Sequence, residues 1–302
     1  MADTLHKPDA PQRSIGVIGL GLMGGAMASN LVAGGWRVIG FDIEAKAMAA
    51  ARQKGVEVVD DAAAVAAAAS DIITSLPSAR AAIATAETIA AASPAPLVVL
   101  EMSTLSLEDK EAFAAVLTAK GHTALDCPLS GTGAQAQAKD LVVYASGSST
   151  EIERLGPLFL GLGRKYFNLG AYGNATKMKF VANLLVAIHN VASAEAMVLG
   201  MKAGLAPQQI VEVIAAGAGT SRVFELRAPL MADNRYEPAS MRCSIWQKDM
   251  AVIGAFAANL GCPTPLFSAT EPIYRSGLER GHGAHDTASV CAVLEDMAGI
   301  KR

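Results

Sequence analysis

Cysteine is scarce in this chain and never clustered. The four that occur, Cys127, Cys243, Cys262 and Cys291, lie far apart and form no C-x-x-C pair. That excludes a zinc ribbon and a disulfide-framed module, and it points to the reduced thiols of a cytoplasmic protein. Basic charge is not in excess either. Lys and Arg number 25 against 28 Asp and Glu, a formal net charge of −3, so the chain has no footprint for nucleic acid. No uninterrupted apolar run approaches the ~20 residues of a membrane span. Residues 1–12 include Asp3, Lys7, Pro8, Asp9 and Pro11. They lack the apolar core of a signal peptide and read as a disordered tail. No cluster has metal-ligand spacing, and no serine-histidine-acid elbow is present, so neither a metal site nor that nucleophile is expected.

What is present is length and apolar content. The chain has 302 residues, 52% hydrophobic and 18% charged, enough for two domains with their own cores. In the first half, short apolar runs alternate with Ala-rich helical stretches. Strands are expected at 14–19, 37–41, 72–76, 97–100 and 123–126, and helices at 26–33, 45–54, 62–69, 79–92 and 107–120. Alternation of this kind predicts a parallel sheet covered on both faces. Two further strands, 141–145 and 165–169, flank a helix at 150–158 and are expected to extend that sheet. Past Gly173 the pattern becomes helical throughout. One helix of more than 25 residues is expected over 175–203, ending at Gly204, and Pro207 starts the next. Further helices are expected at 208–216, 222–231, 244–260, 265–277 and 287–297. The expected fold is α/β, a Rossmann-type doubly wound parallel sheet over 13–173, followed by an all-α domain over 174–302. So long an apolar helix needs cover, which a partner subunit of a homodimer or homotetramer supplies.

The most informative stretch is Ile15-Gly16-Val17-Ile18-Gly19-Leu20-Gly21-Leu22-Met23-Gly24. An apolar run leads into G-x-G-x-x-G and then into a helix, the order that a dinucleotide site needs. Gly19 permits the tight turn, Gly21 lets backbone approach a pyrophosphate, and Gly24 lets the helix pack close to the strand. The next apolar run ends in Asp42, about 20 residues past the glycines, where an acid binds the adenosine ribose hydroxyls and disfavours a 2′-phosphate. NAD is therefore the expected cofactor, with NADP as the alternative. Ligands in such sheets bind beyond the carboxyl ends of the strands. Three more strand ends carry suitable turns: Leu76-Pro77-Ser78, Met102-Ser103-Thr104 and Cys127-Pro128-Leu129-Ser130-Gly131.

Hydride transfer at a carbinol needs a group that takes the hydroxyl proton. Lys179 and Asn183 stand i, i+4 on the long helix among Phe180, Val181, Leu184 and Leu185. Apolar surroundings lower a lysine pKa toward neutrality. Lys177 is the rival, roughly 160–200° round the helix. His189 reads as a structural histidine, and His282 and His285 as loop residues. Ser130-Gly131-Thr132 offers backbone N–H groups and hydroxyls suited to a carboxylate.

These residues together resemble the β-hydroxyacid dehydrogenase family, which includes 3-hydroxyisobutyrate dehydrogenase and the tartronate, glyoxylate and succinic semialdehyde reductases. The resemblance rests on residues 16–30, on Asp126-Cys127-Pro128-Leu129-Ser130-Gly131, on residues 173–183 and on Lys248-Asp249. It implies an NAD(P)-dependent oxidoreductase of a small 3-hydroxy acid or the matching semialdehyde. Lys179 would be the acid/base, with Lys177 as runner-up, and Asn183 would be its companion. Ser130, Gly131 and Thr132 would hold the substrate carboxylate. Gly19, Gly21, Leu22, Met23, Gly24, Asp42, Leu76, Pro77, Ser103, Thr104 and Lys248 would bind the cofactor. Thr132, Lys139, Asp140 and Arg222 depart from the family pattern near the substrate end, and Arg222 hints at a second anionic or polyhydroxy group. An imine reductase on the same scaffold is disfavoured because Lys179 and Asn183 are retained. A catalytically silent NAD-binding or chromatin-associated module is disfavoured because there is no extra domain or basic arm.

Overall fold

The computed structural model describes residues 13–302. The expected tail at 1–12 lies outside the described residues. The described residues fall into two compact units, one ending at Lys177 and the other spanning Met178–Arg302.

The first unit opens with β1 (Ser14–Ile18), α1 (Leu22–Ala33), β2 (Arg37–Phe41), α2 (Ala45–Gln53), β3 (Glu57–Val58), α3 (Ala62–Ala68), β4 (Asp71–Thr74), α4 (Ala79–Ala92), β5 (Val98–Glu101), α5 (Leu107–Thr118) and β6 (Thr123–Asp126). Six strands pair in parallel in the order β3-β2-β1-β4-β5-β6. The order reverses between β1 and β4, which is the switch point of a doubly wound sheet. Both faces are covered, so β1 and β4 bury almost every residue, with Ile15, Val17 and Ile18 in β1 and Ile72 and Ile73 in β4 supplying the apolar contacts. Helix starts follow local chemistry. Asp61, Ser78 and Ser106 each turn a side-chain oxygen back to a backbone N–H of the first turn.

The remainder of this unit departs from expectation. β7 (Leu129–Ser130), α6 (Gly133–Gln137), β8 (Val142–Ala145), α7 (Ser149–Arg154), α8 (Gly156–Leu162) and β9 (Lys165–Asn168) follow. The strands expected to extend the main sheet form a separate one in the order β7-β8-β9, with β7 and β8 antiparallel. The chain turns after β6 at Cys127-Pro128, and proline donates nothing to a ladder. A single bridge remains between the two sheets, Asp126 and Ser146 exchanging backbone hydrogen bonds of 3.0 and 2.9 Å. The helix expected at 150–158 is broken into α7 and α8, because Pro157 enters the first turn of α8 without an N–H to continue α7.

The second unit holds helices, with one isolated bridge between Arg242 and Asp286 among the described residues. α9 (Asn174–Lys202) is followed by α10 (Pro207–Ala215), α11 (Arg222–Ala232), α12 (Cys243–Asn259), α13 (Pro265–Glu279), two 3-10 turns (His282–Ala284 and Thr287–Ser289) and α14 (Val290–Ala298). α9 is long and apolar enough to cross a membrane by length and composition alone. It is nevertheless the core helix of this unit. Ala187, Ala194 and Met197 on it are fully buried, and Asn190 donates to Tyr274 Oη and Thr287 O at 2.9 Å each.

Candidate active site

The turns that follow β1, β2, β4 and β5 share one edge of the sheet because the strands are parallel. Gly19 has a φ of +92°, and a Cβ there would lie 2.2 Å from Ser75 O. At Gly24 a Cβ would lie 1.8 Å from Gly19 O, so the start of α1 presses against the turn as closely as backbone allows. Gly21 differs, since a Cβ there would meet no atom within 4 Å. Open space at Gly21, beside a helix start that no side chain caps, leaves first-turn N–H groups facing outward. That is the arrangement by which a helix start receives a phosphate. The cradle therefore fits a dinucleotide. Leu22 is exposed and Met23 half-buried at this helix start.

Asp42 binds back onto the glycine turn. Its Oδ2 accepts from Leu20 N at 2.6 Å and its Oδ1 from Glu44 N at 2.8 Å. The turn after β4 is tied to the turn after β5, where Ser103 Oγ accepts the Leu76 N–H at 2.8 Å. Ser103 is buried, Thr104 and Leu76 half-buried, and Pro77 exposed.

Ser130 ends β7 half-exposed, and Gly131 takes a φ of +137°. The N–H of Thr132 is already engaged, donating to Gln135 Oε1 at 3.0 Å. Gln135 in turn donates to Asp140 Oδ2 at 3.2 Å, and Asp140 pairs with Arg164 at 3.0 Å. Two of the departures noted in sequence, Thr132 and Asp140, are thus joined in one network. Lys139 adopts a φ of +57°, the left-handed region that glycine favours. Arg222, the fourth departure, is exposed and pairs with Glu225 at 3.1 Å.

In the second unit, Lys179 and Asn183 lie one turn apart on α9 and both are buried. Asn183 Nδ2 donates to Asp249 Oδ2 of α12 at 3.1 Å. Burial pushes the Lys179 ammonium below its ordinary pKa. Asp249 opposes that shift, and Lys248 adds to it. Burial pushes Asp249 the other way, with Lys179, Lys248 and the Asn183 hydrogen bond each opposing. Lys177 is exposed, with Asn174 Oδ1 at 3.5 Å. Lys248 is exposed beside Asp249 on α12. Asp249, singled out in sequence only as half of the Lys248-Asp249 pair, was given no role of its own there. Its signal was periodic: it falls on the stripe of Trp246, Met250, Ile253 and Ala257, which α12 buries.

Comparison with known proteins bears on the fold and the family. Residues 14–170 match the NAD binding domain of 6-phosphogluconate dehydrogenase. Residues 173–294 match the NAD-binding segment of NADP-dependent 3-hydroxyisobutyrate dehydrogenase. A 2-(hydroxymethyl)glutarate dehydrogenase of Eubacterium barkeri is 30% identical over 95% of this chain and 96% of its own. The L-threonate dehydrogenase of Escherichia coli K12 is 31% identical over 95% of each. The structure of Mycobacterium tuberculosis 3-hydroxyisobutyrate dehydrogenase with L-serine matches with a TM-score of 0.85 at 29% identity, covering 94% of this chain and 99% of that one. With matches over nearly its whole length, the chain belongs to the β-hydroxyacid dehydrogenase family and is an NAD(P)-dependent hydroxy acid dehydrogenase.

Proposed function

We propose that Lys179 is the general acid–base of this dehydrogenase, acting on a small 3-hydroxy acid or, in reverse, on the matching semialdehyde. The observation that carries this reading is burial: Lys179, not Lys177, is enclosed, and burial drives its ammonium toward the neutral amine. When bound, the nicotinamide ring supplies the hydride acceptor. The neutral Lys179 amine takes the proton from the substrate hydroxyl oxygen, or the ammonium returns it in reduction. Asn183, held by Asp249, orients that hydroxyl. Ser130, Gly131 and the Thr132 hydroxyl hold the carboxylate. The Thr132 N–H, spent on Gln135, contributes less than the sequence suggests.

Gly19, Gly21, Leu22, Met23 and Gly24 seat the pyrophosphate. Leu76, Pro77, Ser103, Thr104 and Lys248 serve the rest of the cofactor. Asp42, turned onto the glycine loop, accepts from the ribose hydroxyls and repels a 2′-phosphate, so NAD is preferred over NADP. The curated relatives are named for hydroxymethylglutarate and threonate, both hydroxy carboxylates, which supports a substrate of that class. We also propose a homo-oligomer, dimer or tetramer, in which a second copy covers the outer face of α9. The cytoplasm suits its four free cysteines.

The test is a panel of small hydroxy acids with NAD and with NADP, run on Lys179→Ala and Lys177→Ala. Lys179→Ala should lower kcat by about 10²–10⁴-fold, the usual worth of a positioned acid–base, and leave cofactor affinity unchanged. Full activity in Lys179→Ala, or loss only in Lys177→Ala, overturns the assignment.

A further inference from the structure

Behind the cofactor turns lies a buried charged network that the reaction itself does not require. Lys110 on α5 is fully buried. Its ammonium ion-pairs with Glu101 Oε2, approaches Asp126 Oδ1 at 3.1 Å, and donates to Glu101 O at 3.0 Å. Both carboxylates reach onward. Glu101 Oε1 accepts the Ser103 N–H at 3.0 Å, and Ser103 Oγ accepts the Leu76 N–H at 2.8 Å. Asp126 accepts the Thr176 N–H at 2.8 Å and the Thr176 hydroxyl at 2.7 Å. The Ser146 hydroxyl donates to Asp126 at 3.2 Å and accepts the Ala175 N–H at 3.0 Å. One ammonium thus ties two cofactor turns to the first turn of α9.

Stability alone is a poor reason for such a group, because apolar replacement of a buried ion network is often neutral or stabilising. Lys110 also lies on the face of α5 that buries Phe113 and Leu117, where an apolar side chain would pack. We propose that Lys110 is a positioning residue that acts through Glu101 to set the Leu76 and Ser103 turns of the cofactor site, and through Asp126 to set the start of α9. The inference rests on the reading of Leu76 and Ser103 as cofactor residues.

The groups facing Lys110 are Glu101 from β5, Asp126 from β6, and the nearby Tyr172 and Cys127. Tyr172 donates its hydroxyl to Lys110 O at 2.9 Å. Burial pushes both the Tyr172 phenol and the Cys127 thiol up, with Asp126 adding to each, so both stay neutral. Burial pushes Lys110 down, but Glu101 and Asp126 more than restore it, so it stays cationic. Removing the ammonium leaves two carboxylates facing each other in a dry site. Their repulsion is then no longer offset, and it bears on both turns that they hold.

The experiment is calorimetric titration of NADH, and in parallel NADPH, into wild type, K110M and K110M/E101Q. The double variant keeps the network's net charge and an acceptor for the Ser103 N–H. Relative to wild type, K110M should bind at least about tenfold more weakly, while K110M/E101Q, relieved of one of the two like charges, stays within about threefold. Wild-type affinity in K110M overturns the inference, as does a loss shared equally by the two variants. If K110M does not fold, K110M/E101Q decides: retained affinity supports the inference and lost affinity overturns it. Absence of binding of both NADH and NADPH by wild type would instead overturn the cofactor-site reading, and the inference with it.

Discussion

Lys179 and Asp249 are both buried, and burial drives them toward neutrality from opposite sides, the lysine by losing its proton and the acid by gaining one. Their mutual attraction opposes both shifts. Asp249→Asn keeps a partner for Asn183 but removes the anion that holds Lys179 up. The folded-state pKa of Lys179 should then fall further. Oxidation needs the neutral amine, so its rate declines as pH falls through that pKa, and the acid limb of the kcat/KM profile should move to lower pH in Asp249→Asn. Reduction needs the ammonium, so its basic limb should move the same way. Profiles that coincide with wild type would count against Lys179 as the titrating group. The i, i+4 spacing of Lys179 and Asn183 was legible in sequence because both partners lie on one helix. Lys110 was legible only as a charge on an apolar stripe, and Asp249 as half of a motif whose partner on α9 was not. What compensates them comes from other elements, β5 and β6 for Lys110 and α9 for Asp249, and no local spacing reports such a meeting.

At the scale of elements, the strand-glycine-helix unit was readable because each glycine answers a local steric demand. Gly24→Ala must displace Gly19 O, which its Cβ would approach to 1.8 Å. It should therefore destabilise the fold by about 1–3 kcal/mol, the usual cost of overpacking, seen as a lower midpoint in thermal unfolding. Gly21→Ala meets open space and has a φ of −64°, so its unfolding midpoint should match wild type. It should nevertheless bind NADH at least about tenfold more weakly, because a methyl group enters the space reserved for pyrophosphate. Equal cofactor affinity in Gly21→Ala would remove the phosphate from that loop. The small sheet was less readable. β7 has two residues, too few for any period, and the break after β6 depends on Pro128 denying the ladder a donor. Lys139 hides its strain for the same reason, since its left-handed backbone follows from the capping of α6 and not from its side chain.

At the scale of the molecule, the length of α9 was plain from the sequence, and so was its need for cover. Its inner face packs in the core of its own unit. Its outer face exposes Met178, Val181, Leu185 and Leu199, spaced three, four and fourteen residues apart along one side. Large apolar side chains gathered on one exposed face suit the copy-to-copy contact proposed above. Because these side chains share one face of one helix, the matching helix of a second copy offers a surface of the same chemistry, as a two-fold contact requires. Two carboxylates in the middle of that contact would be buried without partners. Val181→Glu/Leu185→Glu should therefore run as a 31.0 kDa monomer in sedimentation, where wild type should run as a dimer or larger. Both side chains point away from the unit's core, so the variant should keep its helical circular dichroism and its affinity for NADH. Wild-type mass in the variant would mean that copies of the chain meet elsewhere, and a monomeric wild type would leave the stripe to a different partner.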